Sequence, residues 1–517
     1  MAVPLSQARW ILFAICILII AINLDYTSVN LALVSMAAEV DSDLNVIQWS
    51  LSAYVLAWAS SVVLAGRLAD IFGKRRILLY GVGLFALSSL LIGMGTSTEV
   101  IISGRVLQGI GGALFVPSLY ALTFSSFPPE KHGFAIGLVG GAAGIGLAIG
   151  PSFSGFLLEY LSWRWIFLIN IPLALITMAI ITMTVPKEPK RLLTDKVDLT
   201  GAALLGAALP LCICALNELG DKGVSTQPLM MMLVGAILFI GFFTHLLKTK
   251  APLIPLDLFK NTPFFKRCML PFMSHQFTFS VVLVMMGLYL QNVLNYPPFE
   301  SGLIFLAMTL GFGVLSIYGG SLVDKVGLRV PSVLGLLILS IGTVSMTLLA
   351  ADSSLSFVAL VLMIIGIGLG LCLSSYNTAM MQAVPSSEVT LAAGVFSMGA
   401  LISHTLAVVI ATGSITTIGL YYAFSGAGMG SLPHDQTLQV SVIMSSAHWT
   451  QDLYAIFPEG LKDIVNESIS NGFMFALHLA GLTCALLTGG GAWLANKHLH
   501  VEGALEQEGA NPPVMIA

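Results

Sequence analysis

Charge is scarce in this sequence. Asp, Glu, Lys and Arg make up 9% of the 517 residues, against about 25% in a soluble domain. A water-facing surface is not built from so few charges, so most of this surface must face lipid. No Lys/Arg block with interleaved aromatics occurs, and the net charge is −4, which argues against a nucleic-acid partner. No Gly-x-x-x-x-Gly-Lys-Ser/Thr loop is present, which argues against an ATP-driven pump. Cysteine is sparse as well. Cys16, Cys212, Cys214, Cys268, Cys372 and Cys484 all lie in or beside apolar runs, where free thiols rather than a disulfide framework are expected. Cys212 and Cys214 have no second pair or nearby His, so neither a metal site nor a cofactor is expected.

What fills the sequence is apolar bulk. The set AVILMFWYC makes up 56%, and the mean hydropathy is +0.92. Glycine, at 51 residues, lets helices approach closely in lipid. A helix needs about 20 apolar residues to cross a hydrocarbon core of roughly 30 Å. Runs of that length predict fourteen spans, near 10–33, 47–66, 77–96, 98–124, 132–158, 163–185, 198–218, 228–247, 268–292, 300–322, 330–350, 355–382, 389–422 and 472–495. The first run is too long for a signal-peptide core and reads as an uncleaved span. The run 389–422 reads as one helix with an extension.

Lys and Arg set the orientation. With the N-terminus inside, the even-numbered connections and the two tails hold nearly all of the 22 basic residues. The opposite side keeps Arg164, Lys222 and Lys462. The expectation is therefore a multi-pass protein of the cell (inner or plasma) membrane with both termini cytoplasmic. The polar stretch 423–471 reads as an outer loop. Within it, Ser446 to Ile469 reads either as an interfacial amphipathic helix or as plain loop, and Asn466-Glu467-Ser468 matches a glycosylation sequon.

The chain repeats itself. Gly66-Arg67-Leu68-Ala69-Asp70-Ile71-Phe72-Gly73 joins spans 2 and 3, and Gly320-Ser321-Leu322-Val323-Asp324-Lys325-Val326-Gly327 joins spans 10 and 11. Both read Gly-x-Leu-x-Asp-x-x-Gly, followed by basic residues. Gly109-Ile110-Gly111-Gly112 in span 4 and Gly366-Ile367-Gly368-Leu369-Gly370 in span 12 obey the same offset of eight spans. Duplicated bundles are common in transporters. The expected architecture is all-α: a six-helix bundle over 1–185, linkers and two inserted helices over 186–267, a second six-helix bundle over 268–495, and a cytoplasmic tail over 496–517.

The turn at 66–76 resembles the signature loop of the major facilitator superfamily. Further motifs are similar to its fourteen-span drug:proton antiporter branch: Leu24-Asp25-Tyr26-Thr27-Ser28-Val29-Asn30 in span 1, Arg105-Val106-Leu107-Gln108-Gly109-Ile110-Gly111-Gly112 in span 4, Gly146-Leu147-Ala148-Ile149-Gly150-Pro151-Ser152-Phe153-Ser154-Gly155 in span 5, and Trp163-Arg164-Trp165 through Asn170-Ile171-Pro172. The resemblance implies proton-coupled efflux of amphiphilic small molecules or drugs by alternating access, in a protein that is not an enzyme. Span 10 holds no deep acidic residue, a departure from relatives that export divalent organic cations.

Asp25 is the sharpest candidate, because an ionised group at mid-depth costs about 2.5–3.5 kcal/mol on insertion scales. Its expected role is to gain and lose a proton. Arg105, the only basic residue inside a span, must find an acceptor in the bundle interior, and the resemblance implies that it shares in proton transfer. In the repeated turns, Gly66, Gly73, Asp70, Arg67, Arg75, Asp324 and Arg329 are expected to gate alternating access. The aspartates would cap the following helix or pair with Arg67 or Arg75. Gly146, Gly150, Pro151 and Gly155 are expected to pack across the bundle interface. Asn23, Asn30, Trp58, Tyr120, His275, Gln276, Asn377 and His404 are candidate cavity residues. Expected partners are a small amphiphilic molecule, protons and the bilayer, with the chain a monomer. Import or export of one dedicated metabolite, such as a siderophore, fatty acid or peptide, stays open.

Overall fold

A computed structural model of the protein describes residues 4–188, 197–222, 225–255, 265–425, 436, 439–440, 443–444, 449 and 457–499. Among them every regular element is helical. Fourteen helices are long and apolar enough to cross a membrane. They are α1 (Leu5–Glu39), α2 (Trp49–Phe72), α3 (Lys74–Gly93), α4 (Thr98–Ser126), α5 (His132–Tyr160), α6 (Arg164–Thr184), α7 (Leu199–Lys222) and α8 (Thr226–Lys248), followed by α9 (Arg267–Val293), α10 (Pro298–Val326), α11 (Arg329–Leu348), α12 (Leu355–Gln382), α13 (Val389–Ser425) and α14 (Glu459–His498). With no water in the bilayer to satisfy backbone groups, each apolar run closes its hydrogen bonds internally as helix. The two repeated turns break at the same place: Gly73 has φ +102° and Gly327 φ +80°, a left-handed conformation that glycine adopts without steric cost. Lys190, Arg191, Lys196 and Lys260 of the linkers lie outside the described residues, as do Pro433, His434 and Tyr454 of the polar stretch.

The packing repeats with the offset of eight. In the first six helices α2 packs on α4, α3 on α4 and α6, and α1 on α5 and α6; in the last six, α10 packs on α12, α11 on α12 and α14, and α9 on α13 and α14. The most extensive contacts between the sets are α5 with α10 and α2 with α13, and these too are equivalent under the repeat, as are the lesser contacts of α5 with α12 and α4 with α13. The inserted α7 lies against α2 and α13, beside that second seam, with α8 on its far side.

The polar stretch differs from expectation. Rather than a loop or a separate interfacial helix, its C-terminal part continues α14, which runs 40 residues, about 60 Å at 1.5 Å per residue. α13 is also overlong and passes through a π turn at Ser414–Gly419. The overhangs pack on each other: the rings of Tyr422 and Phe475 stack 4.5 Å apart at 7°, and Val465, Ile469 and Phe473 are buried. These three recur every four residues and so line one helix face. The sequon residue Asn466 lies inside this helix, not in the surface loop an acceptor site requires.

Candidate functional site

A buried polar cluster forms where α1, α2, α3, α4 and α6 meet. Arg105 and Gln108 are three apart on α4 and share a face. Arg105 Nη1 lies 2.6 Å from Asp25 Oδ2 and 2.7 Å from Gln108 Oε1, and its Nε donates to the Ser50 carbonyl at 3.1 Å. Gln108 Nε2 donates to Asp25 Oδ1 at 3.1 Å and to Ser89 Oγ at 3.0 Å, and Asn170 Nδ2 donates to Asp25 Oδ1 at 3.2 Å. The guanidinium carbon sits 4.1 Å from the centre of the Tyr54 ring, a cation–π distance. Asp25, Arg105 and Gln108 are all 0% exposed. Among the described residues Arg105 Nη2 has no hydrogen-bond partner. Removing one member of such a buried pair leaves an uncompensated charge, at about 3–5 kcal/mol. The carboxylate accepts three N–H donors, so the cluster fits the ionised acid. Protonating Asp25 would set an O–H against those donors and force the cluster to rearrange.

Beside the cluster, between the two sets of six helices, lies a cavity of about 300 Å³. Its walls are largely apolar and carry eight aromatic rings, from Tyr26, Tyr54, Trp58 and Tyr120 on one side to Phe272, Phe279, Phe312 and Phe396 on the other. Among the described residues no Asp, Glu, Lys or Arg lines it. A second hollow, a crevice of about 400 Å³, includes Asn30, Ser52, Arg105, Thr412 and Ile213 of the inserted α7. Tyr26, Val55 and His404 line both. Tyr26 Oη is 3.5 Å from His404 Nε2, and His404 Nδ1 is 2.8 Å from Ser280 Oγ. His275 sits between the Leu369 carbonyl at 3.0 Å and Gln276 Oε1 at 2.9 Å.

The ends of α2 and α10 that carry the repeated turns are clamped. Asp70 accepts from the Thr390 and Leu391 N–H groups at 3.2 and 2.8 Å, at the start of α13. Asp324 accepts from the Gly133 and Phe134 N–H groups at 2.7 and 2.8 Å, at the start of α5. Each carboxylate thus meets the orphan N–H groups and positive end of a helix in the opposite set. The expectation that they cap the helix following their own turn is corrected, because the seam brings a foreign N-terminus closer. Arg75 donates to the Thr182 carbonyl at 3.0 Å, and Arg329 to Asn496 Oδ1. Behind the clamps the backbones nearly touch: a Cβ on Gly137 would lie 2.6 Å from the Ser316 carbonyl, and one on Gly66 2.6 Å from that of Thr390.

The sequence pattern of the Major Facilitator Superfamily matches residues 13–408. The chain belongs to the major facilitator superfamily. It is a multi-pass membrane transporter of that family, not an enzyme. The chain is 31% identical over 386 residues to the tetracenomycin C resistance and export protein of Streptomyces glaucescens, covering 74% of this chain and 71% of that one. It is 29% identical over 389 residues to the riboflavin transporter RibZ of Clostridioides difficile, covering 74% and 83%, and 30% identical over 401 residues to the lincomycin resistance protein of Streptomyces lincolnensis, covering 75% and 81%. The crystal structure of the human organic anion transporter MFSD10 shares the fold, with a TM-score of 0.60 at 14% identity over 94% of this chain and 99% of that one.

Within this superfamily fold the residues singled out from sequence fall in distinct places. Asp25 and Arg105 pair directly. Asn23, Trp58, Tyr120, His275, Gln276, Asn377 and His404 line the cavity, and Asn30 lies in the crevice. The glycines of α5 divide their work. Gly140 and Gly144 face Ser316 and Gly313 of α10, whereas Gly146 and Gly150 pack on Ile20, Asn23 and Thr27 of α1. The expectation that Gly146 and Gly150 cross the interface is therefore corrected: both face α1 of their own set, whereas Gly155 faces α10 of the other. Gly155 meets only Phe299, at 3.9 Å, and Pro151 lies in the same helix. Gln108 and Asn170 stood inside the quoted motifs without a role of their own, and Ser89 was not noted. Neutral polar residues are common in membrane helices, and the one available signal was Gln108 one helical turn beyond Arg105.

Proposed function

We propose that this transporter exports amphiphilic small molecules in exchange for protons by alternating access. The observation that carries the reading is the fully buried Asp25–Arg105 pair beside an aromatic cavity. Ionised Asp25 satisfies Arg105, Gln108 and Asn170; the protonated acid cannot, so proton binding favours a different packing of α1, α4 and α6. A switch of this kind links proton occupancy to which end of the cavity is open. In the conformation described here the ends carrying the basic turns are held by Asp70 and Asp324, while the crevice reaches Arg105 from the opposite end.

The excess of Lys and Arg at the turns supports placing those turns, and both termini, on the cytoplasmic side of the cell membrane. The pattern of contacts repeated at an offset of eight supports division into two six-helix bundles that rock about the α5–α10 and α2–α13 seams, with the chain acting as a monomer. Export is supported by relatives whose names carry antibiotic resistance and export. A second reading, transport of one dedicated metabolite, is favoured by the similarity to a riboflavin transporter. Proteoliposomes with an imposed pH gradient test the first. Wild-type protein should move Nile red, an uncharged amphiphilic dye, against its gradient, and Asp25→Asn should bind it but not accumulate it. Full gradient-driven transport by Asp25→Asn would refute the proton-site assignment.

A further inference from the structure

The cavity's chemistry narrows its cargo. We infer that it takes flat, net-uncharged aromatic solutes bearing carbonyl or phenolic oxygens, received by Tyr54 and Trp58; this rests on reading the cavity as the transport site.

Shape comes first. Tyr54 and Trp58, one helical turn apart on α2, present rings 5.6 Å apart at 85°. Facing them from the other bundle, Phe272 of α9 and Phe396 of α13 stack 3.8 Å apart at 20°. Aromatic faces on opposing walls favour a planar aromatic guest, through stacked and edge-to-face contacts. A volume of about 300 Å³ is at the small end of ligand sites, roughly 300–1,000 Å³, and suits a compact fused-ring solute.

Polarity comes second. Tyr54 Oη and Trp58 Nε1 are buried and, among the described residues, have no hydrogen-bond partner. The indole N–H can only donate and the phenol donates readily. Two adjacent unmet donors on residues that line the cavity call for acceptor oxygens on a guest that settles against them, because buried polar groups are otherwise costly. Acceptors also remain on the protein side: Asn377 and Asn23 each donate to their own helix through Nδ2, to the carbonyls of Leu373 and Ile19.

Charge comes third. A cation entering the cavity would shed water with no carboxylate to meet it, since no Asp or Glu lines the wall and Asp25 spends its oxygens on Arg105, Gln108 and Asn170. An anion would find no Lys or Arg. Of the lining histidines, His275 is engaged by Leu369 and Gln276, and His404 by Ser280 and Tyr26. An unpaired charge in such a place is strongly disfavoured.

Equilibrium dialysis of the purified full-length protein, with no gradient, tests this with three probes: 1,8-dihydroxyanthraquinone (planar, uncharged, oxygen-bearing), anthracene (the same rings without oxygens) and ethidium (a planar cation). The anthraquinone should bind most tightly. Tyr54→Phe and Trp58→Phe keep aromatic rings and remove the donors. Each should weaken the anthraquinone by about threefold to tenfold and leave anthracene unchanged, which also shows that the cavity is intact. Tighter binding of ethidium than of the anthraquinone, or anthraquinone binding unmoved by both substitutions, would overturn the inference. A protein that binds as expected but shows no pH-driven transport would leave the inference standing and sink the export mechanism instead.

Discussion

Asp70 and Leu391 stand 321 positions apart in the chain and meet at 2.8 Å across the seam between α2 and α13. Asp324 and Gly133 repeat the arrangement at 2.7 Å across the α10–α5 seam. Two carboxylates each cap a helix of the opposite set, and in the proposed mechanism they hold one end of the molecule shut. Loss of a helix cap costs about 0.5–2 kcal/mol, so Asp70→Ala or Asp324→Ala should each shift the ratio of clamped to open molecules by roughly twofold to thirtyfold. Spin labels at the exposed positions Arg76 and Ser387, in a background lacking the six native cysteines, report the separation by pulsed electron resonance. A longer-distance population should grow in each variant. An unchanged distance distribution in both would show that the clamps do not hold the seam.

The same seam depends on the absence of side chains. A Cβ on Gly137 would approach the Ser316 carbonyl at 2.6 Å, and one on Gly144 the Cα of Gly313 at 2.9 Å. Because both neighbours are backbone, neither can turn aside. Gly137→Leu should force α5 from α10 and reduce transport at least tenfold while the protein still reaches the membrane. Wild-type rates in Gly137→Leu would contradict the close-packed seam.

Arg105 is held by shape as well as charge. Its Nε and Nη1 serve Ser50, Asp25 and Gln108 at once, which the single ammonium of lysine does not reproduce. Arg105→Ala strands a carboxylate that is 0% exposed, and should cost about 3–5 kcal/mol. Replacing both partners, as Asp25→Asn with Arg105→Gln, removes the stranded charge. In thermal unfolding in detergent, Arg105→Ala should melt earliest and the double variant should recover much of the loss. Equal losses in the two would mean that packing rather than charge holds the cluster.

How much of this was legible in the sequence depends on the range of the interaction. Span number follows from local hydropathy, and Asp25 and Arg105 stood out because an ionisable group interrupts an apolar run. That they pair is a fact of packing between α1 and α4, and nothing local encodes it. Asn170 and Ser89 looked like ordinary helix polar residues for the same reason. Asp70 was recognisable as a turn aspartate, but its partners lie in another bundle. The extended α14 was hidden because Lys462, Asp463, Asn466 and Glu467 lower the hydropathy of the very turns in which Val465 and Ile469 are buried. There the apolar stripe at every fourth residue was the truer signal.

Tyr26 and His404 partition the cavity from the crevice. Both line each space, and their 3.5 Å contact joins α1 to α13. One neutral hydrogen bond contributes about 0.5–1.5 kcal/mol, so Tyr26→Phe should raise opening of the partition by roughly twofold to twelvefold. His404→Leu loses the bond to Ser280 as well and should raise opening at least as much, and adding Tyr26→Phe to His404→Leu should change little, since the Tyr26–His404 contact is already gone. A cysteine placed at Ser397, which lines the cavity, reports opening through its rate of modification by an impermeant thiol reagent. Fully additive rates would show that the two residues act separately.

The inserted helices depend on one carboxylate just outside the spans. Asp198 accepts from the Gly201 N–H at 2.8 Å and the Leu253 N–H at 3.1 Å, and its Oδ1 lies 2.8 Å from His245 Nε2. It therefore ties the start of α7 to the end of α8 and to the segment that follows. Burial pushes its carboxyl up, but the bonds from Gly201, His245 and Leu253 outweigh that and hold it below the usual carboxylate range. A depressed acid stabilises the fold above its unfolded pKa of about 3.9, and that contribution is lost as pH falls through the lower folded value. Hydrogen exchange over 249–255, corrected for intrinsic rates, should show protection that holds from neutral pH to about 4 and falls below it. In Asp198→Ala, protection should be lower throughout and flat over the same window. If the variant keeps the wild-type fall, another group controls that segment, and Asp198 is only a helix cap.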